Sequence, residues 1–194
     1  MIIPMRHTHF GWRFGDKVGG GRLHSGVDLN YGAPYQDKGM EVKATASGQI
    51  VYSKNAGKGW GNLVVIYHPE HRVWSRYAHL EKRYYDEGIQ VKEGDVIGTV
   101  GSTGGDWAPH CHFDIIVKKL PSWTSYTKYF SQTKLREYYV DPIPFIEGVN
   151  NAMETDWKVE TRKWAETILD DVDGFIENMD AWKVLELVRK ATKK

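Results

Sequence analysis

The chain has 194 residues, 41% of them hydrophobic and 13% aromatic, enough to bury one good core with a small appendage. A formal charge of +1 leaves no basic face of the kind nucleic acid requires, which excludes that class of partner. A single cysteine excludes an internal disulfide framework, and no apolar run approaches the ~20 residues that insert across a bilayer.

The N-terminal segment Met1 to His7 has no apolar stretch of the kind an export signal carries, so a chain made in the cytoplasm is expected. His7 and His9 have ligand-like spacing but no carboxylate nearby. Leu23 to Leu29 reads as an extended strand, on which side chains alternate between faces. His24, Gly26 and Asp28 then share one face and Leu23, Val27 and Leu29 the other, with Gly26 leaving room for a metal or a substrate backbone.

From Glu41 to Val100 short strands alternate with turns, clearest at Gln49–Tyr52, Leu63–Tyr67, Val73–Ala78 and Val96–Val100. His68 and His71 flank Pro69 at a hairpin tip, where solvated histidines are the ordinary expectation. Gly59 to Gly61 and Gly101 to Gly105 lead into no Gly-Lys-Ser/Thr helix, so they read as tight turns and groove rims rather than a phosphate loop. Pro109 to Val117 repeats the strand logic, with His110 and His112 on one face and Cys111, Phe113 and Ile115 on the other. Cys111 reads as a small buried hydrophobe.

Residues 118–139 are irregular and rich in aromatic rings, either a groove wall or a packed loop. Pro142 and Pro144 exclude a regular helix there and mark the end of the first domain. Beyond Asn150 the period becomes helical, with Trp157, Thr161, Trp164, Ile168 and Val172, then Trp182, Leu185 and Val188. Two short helices are expected, packing on each other, on the β domain or on a second copy of the chain as a homo-oligomer. Asp171 to Gly174 resembles part of a calcium loop but puts Leu169 at the first ligand position. The expected fold is therefore mainly β, an antiparallel sheet or sandwich over residues 1–150 with a helical appendage over 151–194.

Two apolar-backed strands bring imidazole, carboxylate and imidazole together, a donor set suited to zinc, whose catalytic sites hold three nitrogen or oxygen ligands and leave a position open. A lone His-x-His pair is more often an ordinary polar feature. Here a third motif, Tyr77-Ala78-His79-Leu80, stands between the two walls.

In these segments, taken with Gly11-Trp12-Arg13, Gly61 to Ile66, Val91 to Gly98 and Gly101 to Gly104, the chain resembles the lysostaphin-like zinc endopeptidases that cut peptide cross-links in bacterial cell walls. The resemblance runs from about Phe10 to Ile115 in order and spacing. It implies His24, Asp28 and His112 as zinc ligands and His79 and His110 as the catalytic pair. It also implies peptidoglycan stem peptides or cross-bridges as substrate, and, without an export signal, a phage lysin, a virion-associated enzyme or a trimmed secreted one. Some members of this fold have lost ligands and act as regulators, so a non-catalytic wall-binding or regulatory module is the alternative. A structural zinc protein would need a closed fourth ligand, and Cys111 faces away.

Overall fold

The computed structural model describes residues 1–149, and Met1–Gly148 cluster into one compact unit. The helices expected beyond Asn150, their tryptophan stripe and the Asp171 to Gly174 segment lie outside the described residues. The chain opens with four short strands, β1 (His9–Phe10), β2 (Lys17–Val18), β3 (Arg22–Leu23) and β4 (Val27–Asn30). There follow β5 (Glu41–Lys43), β6 (Gly48–Asn55), β7 (Asn62–His68), β8 (Val73–Leu80), β9 (Lys82–Arg83), β10 (Gln90–Val91), β11 (Val96–Thr99) and β12 (Cys111–Ile116). Helix α1 (Gln132–Tyr138) and β13 (Tyr139–Val140) come next, and residues 142–149 are helical. No helix among the described residues is long and apolar enough to cross a membrane.

The main sheet runs β1-β4-β12-β8-β7-β6-β10, with β13 paired to the far end of β12, and its pairings are antiparallel. A three-stranded sheet, β5-β11-β9, accompanies it. Tyr77 ties the main sheet to the turn after β5, its hydroxyl accepting from the Thr45 amide at 2.9 Å. This is the mainly antiparallel β architecture expected.

Register decides which residues share a face. β12 lies between β4 and β8, with His112 opposite Asp28 on one side and Ala78 on the other. Val27, Phe113 and Tyr77 line up on the opposite face, where they are buried with Leu29 and Ile115. The His112 face is covered as well, by Trp60 packed on Leu63, Val65 and Ala78. That double burial explains why every residue of β12 is buried.

Four sequence expectations need correction. The single strand over Leu23 to Leu29 is two strands, with residues 24–26 bridging β3 and β4. The aromatic segment contains a helix, α1, capped by the Ser131 hydroxyl accepting from the Lys134 amide. Residues 142–149 are helical because both prolines fall in the first turn, where amides have no intrahelical acceptor. Asp141 caps that turn, its carboxylate accepting from the Ile143 amide at 3.3 Å. His68, expected in solvent, is fully buried: Nδ1–H donates to the Ser47 carbonyl at 3.0 Å, and Nε2 lies 2.7 Å from the Ser75 hydroxyl.

Candidate metal centre and groove

His112 Nδ1, His24 Nε2 and Asp28 Oδ1 converge on one another. The two ring nitrogens are 2.9 Å apart, and each lies 3.0–3.1 Å from the carboxylate oxygen. Among the described residues these three form the group able to hold a metal ion, and each is less than a tenth exposed. Burial pushes the Asp28 pKa up, but its hydrogen bonds to His112 and His24 and their charges outweigh it and hold the carboxyl well below the usual range. Asp28 is therefore an anion acting as acceptor only.

The other nitrogen of His112 is held from behind. Nε2 lies 3.1 Å from Asp114 Oδ2, and Asp114 is paired with Arg76 at 2.6 Å. An ionised Asp114 accepts only, so Nε2 carries a proton. Burial lowers the His112 pKa, but the hydrogen bonds and charges of Asp114 and Asp28 outweigh it and raise it. A ring that gives up its second proton for a metal turns the lone pair of Nδ1 toward Asp28 and His24. Two ring nitrogens and an anionic oxygen facing one another within about 3 Å are a donor set able to hold a cation between them. The donor set, two imidazoles and one carboxylate, fits zinc better than the all-oxygen preferences of calcium or magnesium. His7 and His9 do not join this group.

His79 reaches the centre by an irregularity that alternation does not foresee. Ala78 is opposite His112, so in a regular strand His79 would point to the other face. Between the pairs Asn62–Leu80 and Val64–Tyr77, however, β8 holds one residue more than β7. His79 sits in this bulge with φ of 63°, a conformation that non-glycine residues rarely adopt. Its ring thereby comes to lie 4.7 Å from that of His110 and 6.1 Å from that of His112, centroid to centroid. Gly61 makes room for the bulge's neighbour: at φ of 61°, a Cβ there would sit 2.3 Å from the Thr103 backbone.

Each of these two imidazoles is tethered by one nitrogen. His79 Nδ1–H donates to the Thr103 carbonyl at 3.1 Å and His110 Nδ1–H to the Ala108 carbonyl at 2.9 Å. The tautomer follows from those bonds and leaves each Nε2 as a proton acceptor, that of His110 standing 3.8 Å from Asp28 Oδ2. Burial, reinforced by the neighbouring His110 and His112, pushes the His79 pKa down to about 3, so the ring is neutral at neutral pH.

All five side chains border a groove of about 770 Å³. Its walls include Trp12, Gly19, Trp107 and Tyr126, and the glycine turns at Gly59–Trp60 and Gly104–Gly105 border it as rims. The aromatic segment divides between its two expected roles. Tyr126 stacks on Trp60 in the groove wall, whereas Trp123, Phe130, Tyr138 and Tyr139 pack against buried apolar clusters. Cys111 is fully buried, and burial pushes its thiol pKa up, which leaves it inert.

Three residues around the centre escaped the reading of the sequence. Asp114 carried a signal, since it lies two residues beyond His112 on one strand and so shares its face. Arg76 and Ser25 carried none: the bulge hides the parity of Arg76 relative to His79, and Ser25 lies between strands.

Comparison with known proteins gives a consistent account. Residues 22–122 match the model of peptidase family M23. The chain is 40% identical over 124 residues to the DD-carboxypeptidase/endopeptidase Mpg of Neisseria meningitidis, covering 62% of this chain and 27% of that protein. It is 32% identical over 171 residues to lysostaphin of Staphylococcus simulans, covering 82% of this chain and 30% of that one. The lysostaphin structure superposes with a TM-score of 0.55 at 28% identity, over 76% of this chain and 54% of that one. Similarity also extends to the murein hydrolase activator NlpD of Escherichia coli, 38% identical over 105 residues, 54% of this chain and 25% of that protein. The chain thus spans less than a third of the length of these curated relatives. Because the matched stretch runs from β3 past β12, and so contains every strand that carries a group of the centre, the chain belongs to peptidase family M23.

Proposed function

We propose that the chain is a zinc-dependent endopeptidase that hydrolyses peptide cross-links of bacterial peptidoglycan, with His24, Asp28 and His112 as ligands and His79 and His110 as catalytic imidazoles. The observation that carries this reading is the meeting of three buried metal donors with two tethered, proton-accepting imidazoles in one open groove. When bound, zinc lowers the pKa of a coordinated water to about 7 and polarises the scissile carbonyl.

The protein's own groups supply the proton traffic. Hydrolysis moves one proton from the attacking water to the leaving amine, and a neutral imidazole with a bare Nε2 accepts it and returns it. His79 and His110 both meet that requirement. The one that has taken the proton becomes a donor, and a donor beside the reacting carbonyl stabilises the developing oxyanion. Asp28 contributes its negative charge to metal binding, and the Trp60–Tyr126 wall shelters the ligand side of the groove.

The likeness to NlpD favours a second reading, a non-catalytic activator of other wall enzymes. An activator needs a binding surface but no tethered imidazoles beside a metal site, so the five groups favour hydrolysis. The test combines elemental analysis with incubation on purified peptidoglycan of several cross-link chemistries and mass analysis of the fragments. One zinc per chain and new peptide ends are expected. His79→Ala and His110→Ala should each lose about 10²–10⁴-fold in turnover while keeping zinc. Full activity in metal-free protein, or near-wild-type turnover in either variant, overturns the assignment.

A further inference from the structure

Behind the metal-binding face lies a buried ion pair that the reaction does not touch. Asp114 and Arg76 are both fully buried and stand directly opposite each other across β12 and β8. Four donors converge on one oxygen, Asp114 Oδ2: Arg76 Nη2 at 2.6 Å, Arg76 Nε at 3.1 Å, the Ser25 hydroxyl at 2.9 Å and His112 Nε2 at 3.1 Å. Arg76 is itself held in place, donating from Nη1 to the Trp123 carbonyl at 2.8 Å, with its guanidinium 3.9 Å above the Trp60 ring. Trp60 also packs against His112, so one indole covers both the cation and the imidazole.

Stability alone does not account for this arrangement, because removing two charges from water costs about as much as their attraction returns, and an apolar pair fills the same space as well. What the pair does supply is an immobile anion at the outer nitrogen of one ligand. The strand geometry is built around it. Gly26 has no side chain at the point where a Cβ would lie 2.5 Å from Asp114 Cβ, and this close approach is what brings Ser25 onto the carboxylate. Ala78, opposite His112, leaves the ring space beside Arg76. The contrast with the other imidazole is sharp: His24 Nδ1 is buried and has no hydrogen-bond partner.

We propose that Asp114, clamped by Arg76 and Ser25, is a positioning residue that fixes His112 with its proton on Nε2 and so presents Nδ1 to the metal. This rests on the zinc reading of the centre. His112 is the ligand oriented from behind, and His24 closes onto the cation that His112 and Asp28 define. An outer carboxylate of this kind orients the ring and raises its basicity as a ligand.

The test reads zinc affinity in the full chain by competition with a chromophoric chelator, together with the ring N–H resonance of His112 in the zinc-loaded protein. Asp114→Asn is expected to weaken zinc by about 10- to 100-fold and to move that resonance upfield, as its hydrogen bond to an anion is replaced by one to an amide. Arg76→Lys keeps the cation but loses the fork, and should weaken zinc by a smaller factor in the same direction; it decides the matter should Asp114→Asn not fold. His24→Ala is the control and should lose the metal. If the wild type takes up no zinc, or His24→Ala binds it as well as the wild type, the zinc reading fails and this inference with it. If His24→Ala loses zinc while a folded Asp114→Asn, or in its place Arg76→Lys, keeps wild-type affinity and an unmoved resonance, the positioning role alone is overturned.

Discussion

His68 carries an imidazole into the core at the end of β7, and its burial has a measurable consequence. Desolvation pulls its pKa down to about 4 from 6.5, the Ser47 carbonyl and Glu93 opposing only in part and His71 and the N-terminus adding to the fall. The unfolded chain binds this proton near pH 6.5, the folded one only near pH 4, so acid favours unfolding across that window. Stability should therefore drop by about 3 kcal/mol as pH falls from 6.5 to 4, on top of the carboxylate contributions. His68→Gln, which cannot titrate, should flatten the curve by that amount in urea titrations at pH 7 and pH 4. An identical pH slope in both proteins would mean that His68 is protonated in the folded state at little cost.

At the scale of elements, the junction of β4 and β12 and the bulge in β8 bring the site together. β12 serves as the spine because its antiparallel neighbours place Asp28 and Ala78 on either side of His112. The approach of β4 is unusually close at Gly26, where a Cβ would meet the Phe113 carbonyl oxygen at 2.1 Å. Gly26→Ala should force the strands apart and destabilise the fold by about 1–3 kcal/mol or more. Because the same movement withdraws Ser25 and Asp28 from β12, zinc affinity should fall together with the melting temperature. A variant that melts as the wild type does would show that β4 yields without cost. The β8 bulge works differently, holding His79 in a left-handed conformation that costs on the order of 1–3 kcal/mol and persists because the Trp60 and Thr103 backbones grip it from both sides.

For the molecule as a whole, every group of the proposed centre and its supports lies within the unit Met1–Gly148. Trp157, Trp164 and Trp182 lie outside the described residues, and their helical spacing in the sequence is the pattern of a packing face more often than of a ligand site. A chain ending at Asn150 is therefore expected to cleave a soluble cross-link peptide at close to the full rate. Any loss should fall on wall binding, stability or oligomer size. A folded, zinc-loaded truncation unable to cut that peptide would place the C-terminal segment in the active site.

The sequence by itself determined the mainly β class and singled out the five polar residues that the fold brings to one groove. Local spacing already grouped His24 with Asp28 and His110 with His112, each pair backed by apolar neighbours, although residues 24–26 join two strands and β12 begins only at Cys111. Local pattern also found the glycine turns that became groove rims. It misjudged Pro142 and Pro144, because a proline forbids a helix interior but suits a first turn, and a residue's place in the helix depends on where Asp141 caps it. Only tertiary structure decided the rest. The burial of His68 depends on Ser47 and Ser75 closing around it, the aim of His79 on a register slip against β7, and the anchoring of His112 on an arginine from the neighbouring strand. Each of these is a relation between strands distant in sequence, and periodicity along one strand fixes the face of a side chain without fixing what that face will meet.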